Sequence, residues 1–157
     1  MMSDEGITIR STLRDYLEVH FLLEVQTARL AARRRTMSDI RDLWFALARR
    51  GEYSESDDLA CFSDRDQAVH EAVAAASHND VLWSVYRSLN AAFHRPYLSI
   101  YAAHALFEPS LAAHAKIIEA IIYGDEEAAV GAVRAMFTPL LERVALLPEV
   151  IPTKFIN

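Results

Sequence analysis

Cysteine is almost missing from this sequence: Cys61 is the single one in 157 residues. One thiol cannot build an internal disulfide framework or a cysteine-rich zinc site, and such sparing use fits a reducing compartment. Glycine (4) and proline (5) are also scarce, which argues against a loop-rich β-sandwich and a collagen-like chain. No apolar run approaches the ~20 residues needed to span a bilayer. The polar, acidic start MMSDEGITIRST has no apolar segment of the kind a secretory signal needs. Positive charge is in deficit as well: 16 Lys and Arg stand against 22 Asp and Glu, a net charge of −6. A phosphate backbone demands a basic face, so nucleic-acid binding through this chain alone is not expected. These absences read together as a soluble, cytoplasmic protein with no membrane partner.

What is present is helix-forming. Hydrophobic residues make up 52% and charged residues 24%, enough apolar matter for one core and too little net charge for global disorder. The length suits one domain, and no repeat, low-complexity tract or linker divides it. Leu17, Leu23, Leu30 and Ala31 recur at helical spacing and predict a first helix over residues 13–34. Arg33, Arg34 and Arg35 fall in its last turn, where cations complement the helix dipole. Thr36 and Asp39 form a capping-box pair for a second helix with an Ile40, Leu43, Trp44 and Leu47 stripe, ended by Gly51. The acidic GEYSESDDLAC reads as a loop. Ser63 with Asp66 is read as the start of a third helix through Val69, Val73 and Ala76. His78 reads as a turn residue. Asn79 caps a fourth helix, carrying Val81, Leu82, Val85, Tyr86 and Leu89 and reaching about His104 with a bend at Pro96. Pro109 and Ser110 open a fifth, ended by Gly124. Asp125 to Glu127 open a sixth, with Pro139 inside its pattern as a kink. The only strand-like stretch is GITIR.

Chemistry is most concentrated at Asp66 and His70. Four residues apart on one helix, they share a face, which sets a carboxylate beside an imidazole as a metal site requires. His114 falls on the Leu111, Ile118 and Ile121 stripe of another helix, where an imidazole facing a core needs a partner and a metal is one candidate. A solvated ion pair beside an ordinary histidine is the plain alternative.

The order of these features resembles the FCD domain, the C-terminal effector domain of FadR-type transcription regulators of the GntR superfamily. The resemblance begins at DYLEVHFLLE and continues through LAARRRT and SDIRDL. It then passes through DQAVH and ASHNDVL and closes with AHAKIIEAIIYGDEEAAVGAVRAM, spanning residues 15–146. It implies an all-α antiparallel bundle of six to seven helices around a central ligand cavity, a single domain over residues 1–157. Residues 1–12 would be the remnant of a preceding wing or linker, with GITIR as the last strand of a winged helix-turn-helix that this chain lacks. The family commonly binds a small carboxylic acid, often through a divalent metal (zinc, nickel or manganese) held by one Asp and three His. The first three ligands fall on Asp66, His70 and His114. The fourth falls on Met136, a soft thioether that is a poor substitute for imidazole; the plain reading of Met136 is a core filler. His20 stands where the family usually has an arginine, which would remove a bidentate carboxylate binder if that side chain faces the cavity. Val69 replaces a common phenylalanine. His94 could line a pocket or be an ordinary hydrogen-bonded histidine.

The expected function is therefore an effector-sensing and dimerisation domain, with Asp66, His70 and His114 as metal ligands and Met136, His20 and His94 as ligand-binding positions. Its partners would be a small-molecule carboxylate effector and a second copy in a homodimer, with DNA reached only through a separate module. A helical oligomerisation module with an empty cavity is the alternative. A metal-dependent enzyme is a further one, with no nucleophile motif, separate general base or phosphate loop to support it.

Overall fold

A computed structural model describes residues 9–103 and 110–147. The chain forms six helices: α1 (Ile9–Arg34), α2 (Met37–Arg50), α3 (Leu59–Ala76), α4 (Asp80–Ala103), α5 (Leu111–Tyr123) and α6 (Glu126–Ala145). No strand occurs among the described residues. Ile9 and Arg10 belong to α1, so the strand reading of GITIR fails for these two residues; the remainder of that stretch, like His104 and Pro109, lies outside the described residues.

Local chemistry sets most boundaries. Thr36 and Asp39 form the expected reciprocal capping box on α2, which satisfies two backbone donors at once. Ser110 caps α5 and Asp125 caps α6, and Asn79 accepts from the Leu82 backbone N–H at 3.0 Å. His78 sits in the turn before it, with φ +47°. α3 corrects the sequence reading. Its N-cap is Asp58, whose carboxylate accepts from the Cys61 N–H at 2.9 Å. Ser63 and Asp66 therefore lie inside the helix, and both are buried. A Ser-x-x-Asp pair looks alike as a cap and as two polar residues facing inward, and here the second holds. α6 stays helical through Pro139. The Thr138 hydroxyl donates to the Arg134 carbonyl at 2.8 Å beside it.

Pairings across the bundle give its topology. Phe21 meets Phe137 and Arg29 meets Glu127, so α1 and α6 run antiparallel. His20 meets Tyr86 while Tyr16 meets Asn90, so α1 and α4 do too. Arg50 meets Asp66 and Asp39 meets His78, which makes α2 and α3 antiparallel. α1 packs on α3, α4, α5 and α6 and is the spine of the domain. One apolar cluster gathers Ala28, Leu43, Leu47, Val69, Val73, Ile118, Ile121, Val133 and Phe137. A second joins Leu13, Tyr16 and Leu17 of α1 to Val144 and Leu147. Each such large side chain taken out of water contributes about 1.5–3 kcal/mol.

The LAARRRT run is a clamp. Arg33 pairs with Glu126 in the first turn of α6 (2.8 Å). Arg34 donates to the Ser77 and His78 carbonyls at the end of α3. Arg35 donates to the Ile122 carbonyl at 3.3 and 3.2 Å. Two of the three thus cover helix C-termini, where unpaired carbonyls welcome a cation. Gly124 turns the chain there in the left-handed region (φ +75°), and a Cβ on it would stand 2.8 Å from the Arg35 guanidinium.

Candidate metal and effector site

Five helices send polar side chains to one buried point beside the first apolar cluster. α3 supplies Asp66 and His70, one turn apart; α5 supplies His114, α1 supplies His20 and Glu24, α2 ends on Arg50, and α4 supplies Tyr86. All seven are buried.

The three expected ligands converge. His114 Nε2 lies 3.1 Å from Asp66 Oδ1 and 3.2 Å from His70 Nε2, and His70 Nε2 lies 3.5 Å from Asp66 Oδ2. The other ring nitrogens fix the tautomers. His114 Nδ1 faces the Ser110 carbonyl at 2.9 Å; a carbonyl only accepts, so Nδ1 carries the hydrogen. His70 Nδ1 faces Glu24 Oε1 at 3.0 Å, and an ionised carboxylate likewise only accepts. Both Nε2 atoms thereby face Asp66 and each other, and a metal there would take the place of the protons they share with its carboxylate. Metal-ligating histidines are held in this way, the far N–H given to a carbonyl or carboxylate.

Asp66 Oδ2 is buried without a hydrogen-bond partner. A buried carboxylate oxygen in that condition is costly unless something electropositive meets it. These three residues could hold a metal ion: one oxygen and two nitrogens within 4.8 Å of one another, a set that suits zinc, nickel or manganese. Three protein donors leave coordination positions for water or an anionic ligand.

The electrostatics follow from crowding opposite charges out of water. Burial alone would raise the Asp66 carboxyl, but bonds from His114 and His70 hold it well below the usual carboxylate range. Glu24 behaves alike: burial opposes its charge, and the His70 and His20 contacts overcome it. For His70, burial favours the neutral ring, yet the Glu24 charge and the Asp66 bond push its pKa well above the ordinary value. A metal at Nε2 would displace that proton. Tyr86 donates to Glu24 Oε1 at 2.7 Å; burial, then the Glu24 charge, raise its phenol well above normal.

The remaining expected positions have different surroundings. His20 borders it: its Nε2 is 3.1 Å from Glu24 Oε1 and its ring 6.5 Å from that of His70. His94 belongs to a neighbouring chain of hydrogen bonds, between the Ser63 hydroxyl and the Gln67 amide (3.0 Å), which continues to Asn90 and Tyr16. Burial lowers its pKa to about 4. Met136 sits in the apolar core, on a groove of about 270 Å³ between α5 and α6 that Ser110, Ala113, Pro139 and Arg143 also line.

Sequence reasoning missed Glu24, Arg50 and Tyr86. Two left a signal. Glu24 interrupts the Leu17–Ala31 stripe at a seven-residue step, and Arg50 follows Leu43 and Leu47 at core spacing. A charge on an apolar stripe requires a buried partner. Tyr86 was legible only as an apolar-stripe residue.

Comparison with known proteins agrees with the all-α fold. The FCD domain family matches residues 15–138. The Glc operon transcriptional activator of Escherichia coli (strain K12) is 35% identical over 100 residues, covering 54% of this chain and 39% of that protein. A proposed regulatory protein of the L-lactate dehydrogenase operon, also from strain K12, is 32% identical over 130 residues, covering 80% of this chain and 48% of that protein. The chain thus spans less than half the length of these relatives. With a match over most of its length, an all-α bundle and relatives that are GntR-type regulators, this chain belongs to the FCD domain family.

Proposed function

We propose that this chain is the effector-sensing and dimerisation domain of a GntR/FadR-type transcription regulator, working in the cytoplasm and binding a small carboxylate through a divalent metal. The observation that supports it is the Asp66, His70 and His114 trio, with two imidazole Nε2 atoms and a carboxylate converging inside an apolar bundle, one carboxylate oxygen without a well-formed hydrogen bond. A bound divalent ion supplies a Lewis-acidic centre to which a carboxylate can attach. The chain's own residues do the rest. Ser110 and Glu24 hold the imidazoles in their ligating tautomers. Tyr86 and His20 hold Glu24 in turn. DNA would be read by an attached module, and the domain would report its ligand by biasing two arrangements of a dimer. We assign no enzymatic role, since the relatives carry regulator names.

Elemental analysis of untagged protein, purified without chelators or nickel columns, tests the reading. It should find about one metal per chain, lost in His70→Ala. Addition of small carboxylates should then raise the melting temperature by mass action. Metal-free wild type, with no stabilisation by any carboxylate or added metal, would sink it. That result would favour the second reading, a helical module with an empty interior. One observation supports that reading: Arg50 already pairs with Asp66, giving its carboxylate a cation without any metal.

A further inference from the structure

One side of α2 is turned to solvent. The helix packs on α3 and α5, with Leu43 and Leu47 in the first apolar cluster. Its opposite side carries Met37 (73% exposed), Phe45 (65%) and Trp44 (44%). They stand at i, i+8 and i+7, so they share one face. Three large apolar side chains outside a 14-residue helix form a patch rather than a scatter of single exposed residues. Arg41 and Arg49 are exposed on the same side, and the Arg49 guanidinium lies over the Phe45 ring, 5.7 Å from its centroid. Methionine, aromatic rings and arginine together are the composition of interface centres.

Charge decides what fits this face. Nearby carboxylates are engaged elsewhere: Asp39 with Thr36 and His78, Glu52 with the Leu111 N–H at the start of α5, Asp57 with Arg65. Among the described residues no ion pair reaches Arg41 or Arg49. One carboxylate, Asp42, shares the exposed side, which leaves a small positive surplus on a chain of net charge −6. That surplus is too slight, and the whole too acidic, to draw in a nucleic acid or an anionic membrane. A second copy fits poorly as well. A two-fold pairing of this face is antiparallel, and about Phe45 it sets Arg41 of one copy against Arg49 of the other, each four positions from the axis. What remains is a partner with apolar side chains at its centre and carboxylates at its edges, the helix-in-groove mode of recognition.

We propose that the outer face of α2 docks an amphipathic, acidic helix of another protein, its apolar row on Met37, Trp44 and Phe45 and its carboxylates against Arg41 and Arg49. The inference is independent of whether the bundle interior holds a metal.

The test uses two fluorescein-labelled synthetic helices and the whole chain, read by anisotropy. Both peptides carry leucine at the a and d positions of each heptad; one has glutamate at the flanking positions and the other lysine. The glutamate peptide should bind saturably, roughly tenfold or more tighter than the lysine peptide. Arg41→Glu with Arg49→Glu should reverse that preference. Phe45→Ser should weaken binding of the glutamate peptide about fivefold or more, while Leu22→Ser, an exposed change on α1, should not. Circular dichroism establishes that each variant is folded; should Phe45→Ser fail to fold, Met37→Ser takes its place. Equal or absent binding of the two peptides overturns the proposal, as does an unchanged preference in the folded double charge reversal. Self-association of the chain abolished by Phe45→Ser would name a second copy instead and overturn it. So would binding to phosphatidylglycerol vesicles lost in the double charge reversal, which would name a membrane.

Discussion

His94 makes its direct hydrogen bonds to Ser63 and Gln67, outside the carboxylate cluster, while the Asp66 charge acts on it through space and opposes the effect of burial. Burial depresses its pKa from 6.5 to about 4. The unfolded chain therefore takes up a proton on this ring near pH 6.5 while the folded chain does not. Its contribution is intact above that value and is lost as pH falls toward 4, at a limiting slope of about 1.4 kcal/mol per pH unit. Urea unfolding of wild type and His94→Gln at pH 7, 6 and 5 should show the wild type losing ground to the variant across that window. A constant difference would mean that the buried ring is not held neutral. Glu24 makes a second residue-scale case. Its Oε1 receives Tyr86, His20 and His70, so Tyr86→Phe removes one donor from a buried carboxylate. The expected cost is about 1.5–3 kcal/mol, read from the shift in the urea midpoint. A change under ~0.5 kcal/mol would show that the other donors suffice.

At the level of elements, helix number and order were legible, because the apolar stripes and caps agree with each other from Thr36 to Gly124. The start of α3 was not. The acidic run before it offers several Ser and Asp residues, all good caps, and only the backbone decides that Asp58 serves. The α5–α6 turn shows how far a local signal reaches. Glycine was legible there as a helix stop, but the Arg35 guanidinium seated over it was not, since the two lie 89 positions apart. Gly124→Ala should cost about 1–2 kcal/mol for the left-handed backbone alone, a fall of roughly 2–8 °C in melting temperature. Arg35→Ala in the same background should be less costly than in wild type, because the added methyl group already crowds the guanidinium. Additive losses in a double-mutant cycle would show the two groups to be independent.

For the whole molecule, the candidate site was half readable. A single helix brings Asp66 and His70 together, so spacing alone found them, and His114 announced itself as an imidazole on an apolar stripe. The rest depends on which helices pack. No rule of spacing could place Arg50 of α2 against Asp66 of α3, or Tyr86 of α4 against Glu24 of α1. Resemblance supplied the trio's meaning but not the buried Arg50 paired with Asp66. A global consequence is testable. Because metal, if bound, bridges α3 and α5, a chelator should lower the melting temperature of freshly purified protein, and zinc with acetate should restore it. An unchanged melting curve, with metal shown to have left, would mean that the bridge adds nothing to stability.

The arginine clamp gives α1 one fixed end. Arg33, Arg34 and Arg35 tie it to α6, α3 and α5 by directed charge-assisted bonds, whereas Leu13 and Leu17 near its other end are held by apolar packing. Glu24 lies about 15 Å along the axis from that end and Ile9 about 37 Å, at 1.5 Å per residue. For a rigid rod pivoting at the clamp, a small displacement at Glu24 would become about two and a half times larger at Ile9.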